Sequence, residues 1–164
     1  MRRVHLVGYS GHGKTTLAVA LLAHWTAAGL RVGSIKHTGH IHELDTPGKD
    51  SWRQRQAGAR PAAIIAGDRL ALHLPLLPTD DPYAAIAPHY ADCALVLVEG
   101  DIDAAAPKVE VWRAGLGVAP LATDRTDISA IITDDQPGLA FSRWSRQDLP
   151  AIALQLQRLV GIVC

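Results

Sequence analysis

The chain has 164 residues, no net charge at pH 7, and 48% hydrophobic against 20% charged residues, proportions that fill a real core and exclude a disordered tail. Sixteen basic residues balance sixteen acidic ones, so neither a general nucleic-acid coat nor a polybasic membrane binder is expected. The most apolar run, near Leu95, stops at Glu99, well short of the roughly 18 residues that span a bilayer. The first residues do not make a secretory leader, and the distant Cys93 and Cys164 make neither a disulfide framework nor a cysteine zinc site. A single domain over residues 1–164, cytoplasmic, is the expectation, with Cys93 a small core residue.

Arg3 to Val7 reads as a short apolar strand running into a glycine-rich turn. Thr15 to Ala28 then follows helical spacing, with Leu17, Leu21, Trp25 and Ala28 on one face. Gly29 stands where a helix C-cap is expected, and a strand, Arg31 to Lys36, follows it; the crossover calls for a parallel sheet. His37 to Gly48 is a loop, Ser51 to Ala57 a short helix. Ala62 to Ala66 and Leu70 to Leu74 form a hairpin across Gly67-Asp68. Pro82 to Tyr90 is a short helix, and the apolar Ala94 to Val98 is a strand covered on both faces and central in the sheet. Lys108 to Trp112 alternates, Ile128 to Ile132 is a further buried strand, and Asp148 caps a last helix bearing Leu149, Ile152, Leu156 and Leu159.

Between the first strand and the first helix, Gly8-Tyr9-Ser10-Gly11-His12-Gly13-Lys14-Thr15 matches GxxxxGK[ST] in full. The glycines let successive backbone N–H groups curl inward, and the helix N-terminus adds a dipole that favours polyphosphate. Lys14 is expected to reach the β and γ phosphates, and the Thr15 hydroxyl to ligate Mg²⁺. The expected fold is α/β, a P-loop NTPase-like three-layer fold with a mostly parallel central sheet and an antiparallel hairpin extension. Glu99, closing the strand of CALVLVEG, is the candidate Walker-B acid; Asp45, Asp50 and Asp101 remain alternatives.

Arginines number twelve and lysines four, so the positions of the lysines are informative. Lys14, Lys36, Lys49 and Lys108 each adjoin glycine, proline or histidine, where a compact ammonium approaches phosphate more closely than a planar guanidinium. Lys36 and His37, just past a strand's carboxyl end, are expected to face the ligand crevice of an open α/β sheet. His37, His40 and His42 have a chelating spacing, but no cysteine or firmly placed carboxylate completes a transition-metal site. The chain has no asparagine, so the usual NKxD guanine motif is absent. Asp134, in IITD, is one candidate to accept from guanine N1–H and N2–H₂; a plain turn residue is the other.

GxxGxGKTT, IKHTGH, DTPGKDS, AGA, LVEG and PKVEV, in that order from about Val4 to Asp134, resemble the molybdopterin-guanine dinucleotide biosynthesis adapter family, MobB. The resemblance implies a small protein that binds GTP with Mg²⁺, hydrolyses it weakly, forms a homodimer and assists a MobA-like molybdopterin guanylyltransferase in attaching GMP to molybdopterin; whether molybdopterin also meets this chain is left open by the sequence. Gly8, Gly11, Gly13, Lys14, Thr15 and Thr16 match that family's phosphate loop. Glu99 and Gly100 match its Walker-B-like end, Lys36, His37 and His40 its IKHxxH, and Asp45, Pro47, Gly48, Lys49, Asp50 and Ser51 its DxPGKDS. Asp45 is placed to order the water near the γ-phosphate. The chain departs from the family pattern at Gly39, where adjacent histidines are common, and at Asp101-Ile102, where an aromatic residue and lysine are. A small-molecule kinase with Arg143 and Arg146 as lid arginines, and a scaffold with a vestigial loop, are the competing readings. A dimer is expected to pair sheet edges of the hairpin Ala62 to Leu74 and of Lys108 to Trp112.

Overall fold

The computed structural model describes residues 1–40, 43–138 and 140–162. In chain order the elements are β1 (Arg3–Val7), α1 (Lys14–Ala27), β2 (Val32–Lys36), α2 (Asp50–Gln56), β3 (Ala62–Ala66), β4 (Arg69–His73), α3 (Pro82–Ile86), β5 (Leu95–Glu99), β6 (Lys108–Val111), β7 (Ile128–Ile132), β8 (Arg143–Trp144) and α4 (Leu149–Leu159). They form two compact units, one of Met1–Gly39 with His89–Cys164, the other of His40–Pro88. None of the described helices is long and apolar enough to cross a membrane.

The first unit is a six-stranded sheet in the order β2-β5-β1-β6-β7-β8, with every neighbouring pair parallel. Alternation along the strands sends Val4, Leu6, Leu95, Leu97, Val109 and Ile132 to one face, where they pack with Leu17, Leu21 and Trp25 of α1 and Ile152 and Leu156 of α4. Each such side chain contributes about 1.5–3 kcal/mol on burial. A second cluster, containing Val7, Trp112, Ala122, Ile128 and Ile131, is packed by Ile102, Leu121 and Phe141. The expected mostly parallel sheet and small antiparallel pair are both present.

Three sequence expectations are corrected here. The buried stripe of α1 is Leu17, Ala18, Leu21 and Trp25. Ala28 is exposed and outside the helix, because Gly29 N–H donates to Thr26 O at 3.0 Å and Leu30 N–H to Trp25 O at 3.0 Å, winding the chain out of the helix. Cys93 is half-buried rather than in the core, since it closes a turn onto Tyr90 O at 3.1 Å just before β5. Lys108 to Trp112 is not a sheet edge: β6 lies between β1 and β7. Its alternating polar residues reflect internal partners, not solvent. Lys108 Nζ donates to Asp127 Oδ2 at 2.7 Å, and Glu110 accepts from the backbone N–H groups of Leu121 and Ala122 at 2.7 and 2.9 Å.

In the His40–Pro88 unit, β3 and β4 pair antiparallel from Ala62↔His73 to Ala66↔Arg69. Asp81 caps α3 by accepting from Tyr83 N–H at 2.9 Å. Ile65, Leu70, Leu72 and Leu74 are exposed along the hairpin, Ile65 by 78%.

Candidate functional site

β1 ends at Val7 and α1 begins at Lys14, so the loop between them must turn sharply beneath the helix N-terminus. Gly8 has φ 134°, and a Cβ there would stand 2.5 Å from Val111 O of β6; only glycine lets the two backbones approach so closely. Gly13, with φ 88° and ψ 25°, caps α1 in the left-handed region. Gly11, Ser10 and Thr16 complete the loop and the first helical turn. His12 does not face solvent. It is 1% exposed, and its Nδ1 accepts from Arg113 N–H at 3.0 Å, tying the loop to the chain leaving β6. Burial, with the nearby charges of Lys14, Arg113 and Arg146, holds the His12 pKa below its ordinary value.

Lys14 folds over the loop, its Nζ donating to Gly8 O and Tyr9 O, each at 2.8 Å. Beside it, the Thr15 hydroxyl donates to Glu99 Oε1 at 2.8 Å, and the Lys36 ammonium donates to the same oxygen. Thr15, Lys36 and Glu99 thus converge from α1, β2 and β5. Burial raises the Glu99 pKa, but the Lys36 and Thr15 hydrogen bonds and the Lys14 charge outweigh it and hold it below the usual carboxylate value. His37 N–H donates to Glu99 O at 2.9 Å. His37 and Gly39, with Val7, Gly8, Gly100 and Asp101, help line an open pocket of about 320 Å³. His5 Nδ1, 3.0 Å from Gly100 O, supports the turn after β5.

On the other side of β1, two arginines that the spacing did not bring together meet the loop. A Cβ on Gly13 would stand 2.8 Å from Arg146 Nη2 and 3.1 Å from Arg113 Nη2. Arg146 Nη1 also donates to His12 O at 3.1 Å. The arginine pairing expected on a lid is not found: Arg143 lies in β8 and its guanidinium donates to Asp135 O at 3.2 Å. Asp134 Oδ1 accepts from Ser145 Oγ at 2.7 Å and from Arg146 N–H at 2.9 Å. Asp135 Oδ2 accepts from Ala114 N–H at 2.8 Å.

Asp45, Lys49, Asp50 and His40 belong to the His40–Pro88 unit. Asp45 Oδ1 accepts from Thr46 N–H at 2.8 Å and Ser51 Oγ at 3.0 Å, and Oδ2 lies 3.5 Å from Arg55 Nε and 3.8 Å from His73 Nε2. Its carboxylate therefore already holds the loop against α2 and β4. Lys49 and Asp50 are exposed at the start of α2. His42 lies outside the described residues, and among those described no three His, Cys, Asp or Glu side chains form a metal-holding group.

Comparison with known proteins matches residues 3–134 to the model of the family MobB, molybdopterin guanine dinucleotide synthesis protein B. The chain is 36% identical over 132 residues to a molybdopterin-guanine dinucleotide biosynthesis adapter protein of Escherichia coli, covering 77% of this chain and 74% of that protein. It is 37% identical over 114 residues to the adapter protein of that name in Haemophilus influenzae, covering 66% of this chain and 61% of the relative. Among solved structures, Bacillus subtilis MobB superposes with a TM-score of 0.73 at 28% identity over 98% of this chain and 99% of that one. A MobB homologue from Bacillus stearothermophilus does so at 0.67 and 30%, over 98% of each. Sequence over most of the length and backbone over nearly all of it agree, and the chain belongs to the MobB family, molybdopterin guanine dinucleotide synthesis protein B.

Proposed function

We propose that this MobB adapter of molybdopterin guanine dinucleotide biosynthesis binds GTP with Mg²⁺ on the loop between β1 and α1, hydrolyses it slowly, and acts as a homodimer beside a MobA-like molybdopterin guanylyltransferase. The observation that carries the reading is the 2.8 Å contact between Thr15 Oγ1 and Glu99 Oε1, a hydroxyl and an ionised carboxylate brought together at the mouth of a phosphate loop.

These hard oxygen donors fit Mg²⁺, which keeps several waters and takes its remaining ligands from phosphate; when bound it supplies charge neutralisation at the terminal phosphates. Lys14 is poised above the loop and exchanges its two carbonyl partners for phosphate oxygens. Lys36 adds a second ammonium beside Glu99. The loop backbone and the N-terminus of α1 supply N–H donors. In this reading Asp45 orders the attacking water, and an Asp45→Ala variant with unchanged hydrolysis removes it from the mechanism. Asp134 reads guanine, and its Ala variant is expected to narrow the preference for GTP over ATP. Lys49, Asp50, His37 and His40 are assigned to phosphate, of the nucleotide or of molybdopterin. The hairpin of β3 and β4 is assigned to the dimer, because four of its large apolar side chains are exposed. Ile65→Lys is expected to yield a monomer in size-exclusion chromatography with light scattering.

Thermal melting with Mg²⁺ and GTP, GDP or ATP tests the nucleotide reading. A ligand at 100 times its Kd adds about 2.7 kcal/mol. Stabilisation by GTP above ATP is expected; no stabilisation by any nucleotide contradicts the reading.

A further inference from the structure

Arg113 and Arg146 approach the same point of the phosphate loop from different elements. Arg113 follows β6 and Arg146 follows β8, yet both Nη2 atoms lie about 3 Å from where a Cβ on Gly13 would stand. No carboxylate pairs with either guanidinium among the described residues. Arg146 has a backbone carbonyl as partner, His12 O.

The surrounding hydrogen bonds hold this pair in place. Asp134 accepts from the backbone N–H of Arg146, and Asp135 accepts from that of Ala114, the residue after Arg113. His12, buried, accepts from the backbone N–H of Arg113. Three acceptors thus fix the main chain of both arginine segments and leave the cationic ends side by side. The charges of Asp134 and Asp135 act on Arg146 without an ion pair to either guanidinium, and Arg113 pushes against Arg146. Two guanidinium ends held together in this way can take an anion between them, and guanidinium is the group that grips phosphate oxygens in pairs.

The sheet order says which part of a nucleotide they meet. β1 is flanked by β5 on one side and β6 on the other. Thr15, Glu99 and Lys36 gather on the β5 side, so under the reading above the metal and terminal phosphate lie there. The opposite end of the polyphosphate then falls toward β6, β7 and β8. We infer that Arg113 and Arg146 form a guanidinium clamp on the nucleoside-side phosphates, α and β, of the bound guanine nucleotide, with Asp134 and Asp135 as positioning residues. This inference rests on the nucleotide reading and adds a direction to it.

The test is calorimetric titration of GTP and of GDP, with Mg²⁺, into the wild-type protein, Arg113→Gln and Arg146→Gln, together with the melting temperature of each protein without nucleotide. Each substitution is expected to weaken GTP and GDP equally, by about tenfold, to reduce the salt dependence of binding, and to leave the ligand-free melting temperature unchanged or raised, since a repulsive pair is relieved. A loss confined to GTP places the arginines on the terminal phosphate and overturns the inference. So do affinities within twofold of wild type, or a ligand-free melting temperature lowered along with affinity, which assigns the arginines to the fold. If the wild-type protein binds neither nucleotide, the nucleotide reading itself fails and takes the clamp with it.

Discussion

The two flanks of β1 handle charge differently. On the β5 flank the cluster is mixed, with Glu99 accepting from Thr15 and Lys36 and standing near Lys14. On the β6 flank the cations are not ion-paired: Arg113 and Arg146 converge at Gly13 with the buried His12 beneath, while Asp134 and Asp135 bond backbone N–H groups and act on Arg146 only through their charge. The mixed cluster is internally satisfied, so a ligand there must exchange existing bonds for new ones. The cationic cluster can take an anion without breaking an ion pair, Arg146 having only the His12 carbonyl as its side-chain partner. The first suits a selective response to metal and terminal phosphate; the second suits affinity for any polyphosphate.

Lys14 lies where the flanks meet, and its loss has the largest expected effect. Lys14→Ala should weaken both GTP and GDP by about 10- to 150-fold in calorimetry, since a charged contact at phosphate is worth about 1.5–3 kcal/mol.

Next comes Asp127→Asn, which leaves Lys108, 4% exposed at its side chain, without its anionic partner. Breaking a buried pair costs about 3–5 kcal/mol; Asp127 is half-exposed, so about 2 kcal/mol is expected in urea unfolding at pH 7. Hydrogen bonds from Arg125 and then Lys108 hold the Asp127 pKa well below its ordinary value. A depressed carboxylate stabilises the fold above its unfolded pKa and loses that contribution as pH falls through its folded value, so the gap between wild type and variant should shrink in strong acid.

Glu99→Gln separates the flanks. It should weaken Mg²⁺-dependent GTP binding by about tenfold and GDP by little, because it touches the metal side alone. Equal losses would break the comparison.

His12 and His5 are both buried, and burial, the largest influence on each, lowers both pKa values. A histidine with a depressed folded pKa stabilises the protein above about 6.5, so stability should fall as pH drops from 6.5 toward 5. The slope is at most about 1.4 kcal/mol per pH unit for each histidine. His12→Asn, whose Oδ1 can accept from Arg113 N–H, should remove one histidine's share.

The smallest effect is expected at Asp134. Asp134→Ala should weaken GTP by a few-fold more than ATP and so narrow the ratio of their affinities; an equal loss of both would leave Asp134 only the role of holding Arg146.

Much of the fold was legible because its signals are local. The loop motif between a strand and an amphipathic helix, the apolar β5 ending in Glu99, and the Asp148 cap, whose Oδ1 accepts from Ala151 N–H at 3.0 Å, all lie within a few residues of what they determine. Sheet order is not local, and it decides what a polar residue in a strand means. Lys108 and Glu110 read as the wet face of an edge strand, whereas Asp127 and the Leu121 and Ala122 amides satisfy them inside. The two-residue β8 is too short to show a period. Thr15 and Glu99 could be paired from sequence because each carries a motif signal; Arg113 carries none and is brought to Gly13 only by the adjacency of β1 and β6. Arg146 carries a faint signal, its spacing from Arg143, but the fold sends Arg143 to Asp135 O and Arg146 to the phosphate loop. Asp45 is expected near the γ-phosphate from its place in the loop after the second strand. Its partners are Thr46, Ser51, Arg55 and His73, which spacing alone does not reveal.

The central claim is that a guanine nucleotide lies across β1 with its metal end toward β5 and its nucleoside-side phosphates toward β6. Crystals grown with Mn²⁺ and a non-hydrolysable GTP analogue, recorded at the manganese absorption edge, test it directly. The account predicts an anomalous peak coordinated by Thr15 and beside Glu99, with Arg113 and Arg146 on the α and β phosphates. A peak on the β6 side, or a nucleotide running in the opposite direction, would contradict it.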